Sequence, residues 1–159
     1  MDLNVVWQSV PHDITRLVAA YILALPVGWM REKEAHSVGV RTFPLVAMAS
    51  CGYVMLAMPQ FGNSIEAQSR VIQGMVAGIG FIGGGAILKN EGNVHGTATA
   101  ASIWNTGVIG AAVAEDRLVV AIVLSLMNLV ALRILLPLKQ KLDKEREEKA
   151  EEKSMHAKP

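Results

Sequence analysis

The sequence predicts an all-α membrane protein, a bundle of five transmembrane helices, and three observations carry that prediction. Residues 71–88, VIQGMVAGIGFIGGGAIL, hold no charge yet include Gly74, Gly78, Gly80, Gly83, Gly84 and Gly85. In a soluble helix each glycine costs about 1 kcal/mol relative to alanine. In a bilayer every backbone group must bond within its own segment, so helix is the single-span solution, and glycines let neighbouring helices approach closely. The second observation is that four other uncharged or nearly uncharged runs are long enough to cross about 30 Å of hydrocarbon. The third is that Lys and Arg favour every second connection between these runs, the asymmetry of a multi-pass protein.

The expected spans are 14–30, 43–58, 71–88, 97–114 and 118–136. Each lies near the short end of the spanning range, which implies a thin membrane or little tilt. The opening MDLNVVWQSVPHD has no basic n-region and no adjacent cleavage pattern, so it reads as part of the mature chain rather than a targeting peptide. Trp7 and the Pro11-His12-Asp13 turn predict a short segment at the outer interface, with Asp13 capping the first span. Arg16 stands three residues inside that span, where its side chain either snorkels to the head groups or turns inward to a partner. Single Cys51, in the second span, has no second cysteine to pair with and reads as packing.

The third span offers two small-xxx-small pairs, Gly74 with Gly78 and Gly80 with Gly84. Close helix packing is the expected role of these and of Gly83 and Gly85, and the run 83–85 can also bend the helix. The fourth span is the most polar, with Thr97, Thr99, Ser102, Asn105 and Thr106 around Trp104. Thr99, Ser102 and Thr106 recur at helical spacings and share a face. That stripe either lines a water-filled path or bonds to the third span, with Gln73 and Asn128 of the fifth span as further partners. Arg133, near the end of the fifth span, is placed to snorkel.

Domain organisation follows: residues 1–137 form the transmembrane domain and 138–159 a charged cytoplasmic tail, helical or disordered. The tail has a favourable Glu145–Lys149 spacing and unfavourable Glu148–Glu152 and Lys149–Lys153 spacings. Arg31, Lys33 and Arg41 follow the first span, Lys89 the third, and Lys139, Lys141 and Lys144 the fifth. The opposite connections carry only Arg70 and Arg117. The positive-inside rule then sets the N-terminus outside and the C-terminus in the cytoplasm.

A formal charge of +1, without a one-sided basic face, excludes a nucleic-acid partner. The carboxylates Glu32, Glu34, Glu66, Glu91, Glu115 and Asp116 fall outside the spans, and His12, His36, His95 and His156 lack ligand spacing. Neither a metal centre nor a cofactor is expected. No nucleophile is paired with a base, so no catalytic residue is assigned and no enzyme is expected.

The segments RLVAA at 16–20, RE at 31–32, GVRT at 39–42, GIGFIGGG at 78–85 and GTATAASIW at 96–104 occur in order and at fixed separations. This arrangement resembles the membrane domain of the MgtC/SapB family, over roughly residues 14–136. The resemblance implies a five-helix bacterial inner-membrane protein associated with growth under magnesium limitation and, in pathogens, with survival inside macrophages. It places Arg16, Arg31, Glu32, Gly39, Arg41 and Thr42 at the family's motif positions. Arg41 and Glu32 are expected to pair across the short loop. Met30 stands where many members carry an acid, and Gln73-Gly74 replaces a more usual Ala-Gln, about a 100° shift of the amide around the helix. Many members also carry a soluble C-terminal domain, which this chain is expected to lack.

Two functions remain open at this point. One is a regulatory or accessory membrane protein for magnesium limitation, stress adaptation or virulence, working through contacts within a homo-oligomer such as a dimer or with another membrane complex. The other is a small ion transporter or channel, formed by an oligomer with a polar path along the fourth helix. An arginine on that path favours anions over cations.

Overall fold

The computed structural model describes residues 3–35, 39–62, 64–90 and 93–134, with the side chains of 3–9, 34, 35, 90 and 93 outside that description. Among the described residues five helices follow one another: α1 Leu3–Ala35, α2 Thr42–Phe61, α3 Ile65–Gly85, α4 Thr97–Ala114 and α5 Leu118–Ile134. A short antiparallel hairpin, β1 Leu88–Asn90 with β2 Asn93–His95, joins α3 to α4. The expected tail and the end of the fifth span lie outside the described residues.

Three boundaries differ from the sequence reading. The interfacial turn expected at Pro11-His12-Asp13 is helix, and Asp13 lies inside α1 rather than at its cap. Proline removes one backbone donor but leaves φ helical, and both Pro11 and Pro26 sit within the same helix. Thr15 Oγ1 donates to the Pro11 carbonyl at 2.7 Å, adding a side-chain bond at this point. At the other side of the fold α3 starts before the expected span, because Ser64 is an N-cap whose Oγ accepts from Ala67 N at 3.4 Å. The exposed Glu66–Arg70 pair at 2.7 Å supports this first turn.

α3 also ends earlier than expected. Its last carbonyls, on Gly83 and Gly84, accept from Ala86 N and Ile87 N at 3.0 and 3.1 Å. Leu88, expected to complete a span, instead pairs with His95 in the hairpin. The chain then enters α4 through Gly96 at φ 86°. A side chain here is strained on conformational grounds, and its Cβ would run into the Ala86 carbonyl.

α2 and α4 share the most extensive helix contact. Phe43, Ala47, Cys51 and Val54 of α2 meet Ile103, Ile109 and Val113 of α4, and Ala20, Ala24 and Val27 of α1 close the core. Small residues set these distances. A Cβ on Gly110 would lie 2.8 Å from the Ala47 carbonyl carbon, one on Gly107 would meet Ile79, and one on Gly28 would lie 3.1 Å from Gly39 O. Outside this core the bundle is apolar on its surface, with Leu56, Phe81, Val119, Met127 and Ile134 all well exposed.

By length and composition alone, the helical segments Val10–Lys33 and Thr42–Phe61 suffice to cross a membrane, and Leu118–Ile134 is a shorter apolar helix. The fourth and third helices carry so much glycine and hydroxyl that composition does not single them out in this way.

Candidate functional site

The polar groups of the bundle collect at two levels, one at each end of the helices. At the end holding the α4–α5 turn, Arg16 reaches across from α1 to Asp116. Its Nε donates to Asp116 Oδ1 at 3.1 Å and its Nη2 to Oδ2, a bidentate ion pair. Arg16 therefore takes the inward option of the two left open by the sequence. Asp116 is set by a left-handed backbone, φ 57°, in a turn where Arg117 N bonds to Ala112 O at 2.8 Å. This pairing is worth little as free energy where Asp116 stays mostly exposed. Its geometric effect is to tie α1 to the α4–α5 turn.

The second level lies between the end of α1, the start of α4 and the end of α5. Arg31 is buried and its Nη2 donates to Thr99 Oγ1, itself buried. Ser102 Oγ donates to Asn128 Oδ1 at 2.9 Å, and Asn105 Nδ2 to the Leu124 carbonyl at 3.3 Å. Thr106 Oγ1 donates back to Ser102 O within its own helix at 2.8 Å. The polar stripe of α4 thus bonds to α1 and α5. Bonding to α3 was the expected alternative and is not observed: α3 touches α4 through Gly83 on Ala100 and Ile79 on Gly107. Gln73 faces outward and Trp104 is half exposed, so neither joins the network.

The loop motif folds around Gly39. Glu32 Oε2 accepts from Val40 N at 3.0 Å, and Thr42 N and Phe43 N both reach Gly39 O, closing the turn into α2. The expected pairing of Glu32 with Arg41 is not observed; Arg41 is exposed. A backbone N–H beside the carboxylate satisfies it without ordering a long arginine side chain. A Cβ on Gly39 would lie 2.8 Å from Glu32 Cα, so this glycine permits the close approach. Gly39→Ala is expected to separate the loop from α1 and lower stability by about 1–3 kcal/mol, measured by thermal unfolding in detergent.

Of the six glycines singled out in α3, Gly83 alone meets a neighbour: its Cβ position lies 3.2 Å from Ala100 O. A Cβ on Gly74, Gly78, Gly80, Gly84 or Gly85 would meet nothing within 4 Å outside its own helix backbone among the described residues. Gly74 and Gly78 line a cavity of about 680 Å³ between α2 and α3, together with Thr42, Ser50, Tyr53 and Arg70. A second cavity of about 500 Å³ opens between α4 and α5 over Arg31, Ser102, Asn105 and Asn128. Among the described residues no three His, Cys, Asp or Glu side chains come together as a metal site. The close-packing role of Gly107 and Gly110, and the pairing of Asp116, were missed in the sequence. The recurrence of the small residues Gly107, Gly110, Ala111 and Ala114 at helical spacings of three and four was the available signal for the first; nothing local signals the second.

Comparison with known proteins adds an independent line. The model of the MgtC family matches residues 17–141. Protein SrpB of Synechococcus elongatus is 40% identical over 110 residues, covering 62% of this chain and 60% of that protein. Protein MgtC of Brucella abortus is 31% identical over 138 residues, 87% of this chain and 57% of its own length. The protein named putative magnesium transporter YhiD in Escherichia coli K12 is 32% identical over 127 residues, 76% of this chain and 59% of that one. The chain thus spans about three fifths of the length of these relatives. No solved structure matches it.

Proposed function

The chain belongs to the MgtC family, and from that premise we propose that it is a five-span protein of a bacterial inner membrane that serves adaptation to low magnesium and related stress, virulence included, by helix contact rather than by catalysis. Its N-terminus lies outside and its C-terminus in the cytoplasm. The exposed aliphatic surface supports the membrane setting, because a soluble bundle does not leave Leu56, Phe81 and Val119 uncovered on several sides at once. The observation that carries the mode of action is the open glycine face of α3. Gly74 and Gly78 lie one turn apart beside an apolar groove, and a Cβ at either would meet no described residue of another element within 4 Å. The occupant proposed for this face is a helix of a second copy or of another membrane complex.

A second reading, ion passage, is favoured by the printed name of the Escherichia coli relative. Against it, the hydroxyl and amide groups of α4 are engaged by Arg31, Asn128 and backbone carbonyls. Liposome flux separates the two. Purified protein is expected to pass neither magnesium nor a small anion above protein-free liposomes. Saturable flux lost in Ser102→Ala/Asn105→Ala would replace the contact reading with transport. In the same preparation, Gly78→Leu is expected to reduce cross-linked assemblies about tenfold while thermal unfolding of the single chain stays unchanged. Assemblies that persist in this variant would remove the α3 face from the proposal.

A further inference from the structure

α3 repeats a pattern along its exposed side. Glu66, Arg70, Gln73, Ala77, Gly80 and Gly84 follow one another at alternating steps of four and three, and all six are exposed. Such steps keep residues on one seam of a helix, the spacing by which two helices run side by side over several turns. What fills the seam separates it from a lipid-facing surface. The exposed residues of α5, among them Val119, Val123, Leu126 and Val130, are aliphatic, as hydrocarbon favours. The α3 seam holds no aliphatic side chain larger than alanine, and a Cβ on Gly80 or Gly84 would meet nothing within 4 Å. Gln73 stands in the middle of the seam, two turns into the helix, and its carboxamide has no hydrogen-bond partner among the described residues. Lipid tails offer that amide neither a donor nor an acceptor.

We propose that this seam binds the same seam of a second copy, the two α3 helices running parallel about a two-fold axis along the membrane normal. The face is complementary to itself. A two-fold axis sets each residue near its own counterpart at equal depth, and a carboxamide both donates and accepts, so the two Gln73 side chains satisfy each other. Glu66 and Arg70 lie one turn apart, bonded at 2.7 Å within the chain, and their side chains are 79% and 76% exposed. Each Arg70 therefore has donors left for the Glu66 carboxylate of the other copy, and opposite charges one turn apart fix the register. Below them Ala77, Gly80 and Gly84 let the two backbones close in. An unrelated helix must supply an acid, a base and an amide at these same heights, whereas a second copy supplies them by symmetry. The assignment deepens the contact reading above and rests on it.

The test is disulfide cross-linking of the full chain in native membranes, with one cysteine introduced at a time. Wild type is the blank, because Cys51 is buried. On oxidation with copper-phenanthroline, Ala77→Cys, Gly80→Cys and Gly84→Cys are expected to give disulfide dimers at yields about tenfold above Val123→Cys on the aliphatic face of α5. Added to Ala77→Cys, Gln73→Leu should lower the yield about tenfold while thermal unfolding of the single chain stays unchanged, since the side chain is exposed there. Gln73→Asn keeps the amide and should retain most of the yield. Equal yields at positions 77 and 123 overturn the proposal, as does a yield that Gln73→Leu leaves untouched. Chains that stay monomeric leave the seam to lipid and overturn it too. If Ala77→Cys gives no dimer while an assembly with a different membrane protein forms and is lost in Gly78→Leu, the second copy falls and the contact reading stands. With no assembly of either kind, both fall.

Discussion

Gly110→Val is expected to leave little folded protein, whereas Gly74→Val should accumulate as a folded single chain. Both substitutions add the same atoms to a helical glycine. At Gly110 the new Cβ falls 2.8 Å from the carbonyl carbon of Ala47 and 3.1 Å from its Cα, so its obstacle is backbone and no rotamer relieves it. α2 and α4 must then move apart, and theirs is the most extensive contact in the bundle. Overpacking a core costs about 1–3 kcal/mol where side chains can give way, and a backbone obstacle puts this case at or above about 3 kcal/mol. Gly74 has nothing within 4 Å and loses only the flexibility of glycine. The measurement is the yield of monodisperse protein in mild detergent, followed by its thermal unfolding. Equal stability of the two variants would mean that α2 and α4 do not pack through Gly110.

How far the fold could be read in advance depended on the kind of signal. α4 was legible to the residue, because Gly96 starts it and Glu115-Asp116 ends it. The glycine run was legible as a helix, yet which of its glycines meet a neighbour was not. Gly83 meets α4, but the remaining glycines turn away from the chain. Helical periodicity gives faces relative to one another, and rotation of the helix about its axis is decided by its neighbours. The hairpin at 88–95 escaped because three residues on each side carry too little alternation, and Leu88 continues an apolar run. Pro11 and Asp13 looked like a helix start because those residue types favour one, but the apolar residues before them extend the helix instead.

The site divides in the same way. Arg16 and Arg31 stood out because charge among apolar residues is costly, but their partners, Asp116 and Thr99, lie far away in sequence. Asn128 was visible as packing glue for the fourth helix, and Ser102 does bond to it. That its amide nitrogen would be left without a hydrogen-bond partner among the described residues depends on how α5 sits against α4, which no spacing encodes.

Thr99→Val is expected to weaken the bundle by about 1.5–3 kcal/mol, because it removes an acceptor from a charged donor while preserving shape. Arg31 is 6% exposed and Thr99 3%, so water does not replace the lost oxygen. Thr99→Ser keeps that oxygen and should stay within about 0.5 kcal/mol of wild type, a size usual for changes that spare the interaction. Arg31→Met combined with Thr99→Val should recover part of the loss, since two apolar groups make no demand of the kind that a buried charged donor makes on a missing acceptor. Unfolding in mixed micelles with increasing denaturing detergent gives the comparison. If Thr99→Val matches wild type, the bond to Thr99 is not what holds the guanidinium in place. If the ordering holds, the α1–α4 bond is what fixes Arg31 in the wall of the cavity between α4 and α5.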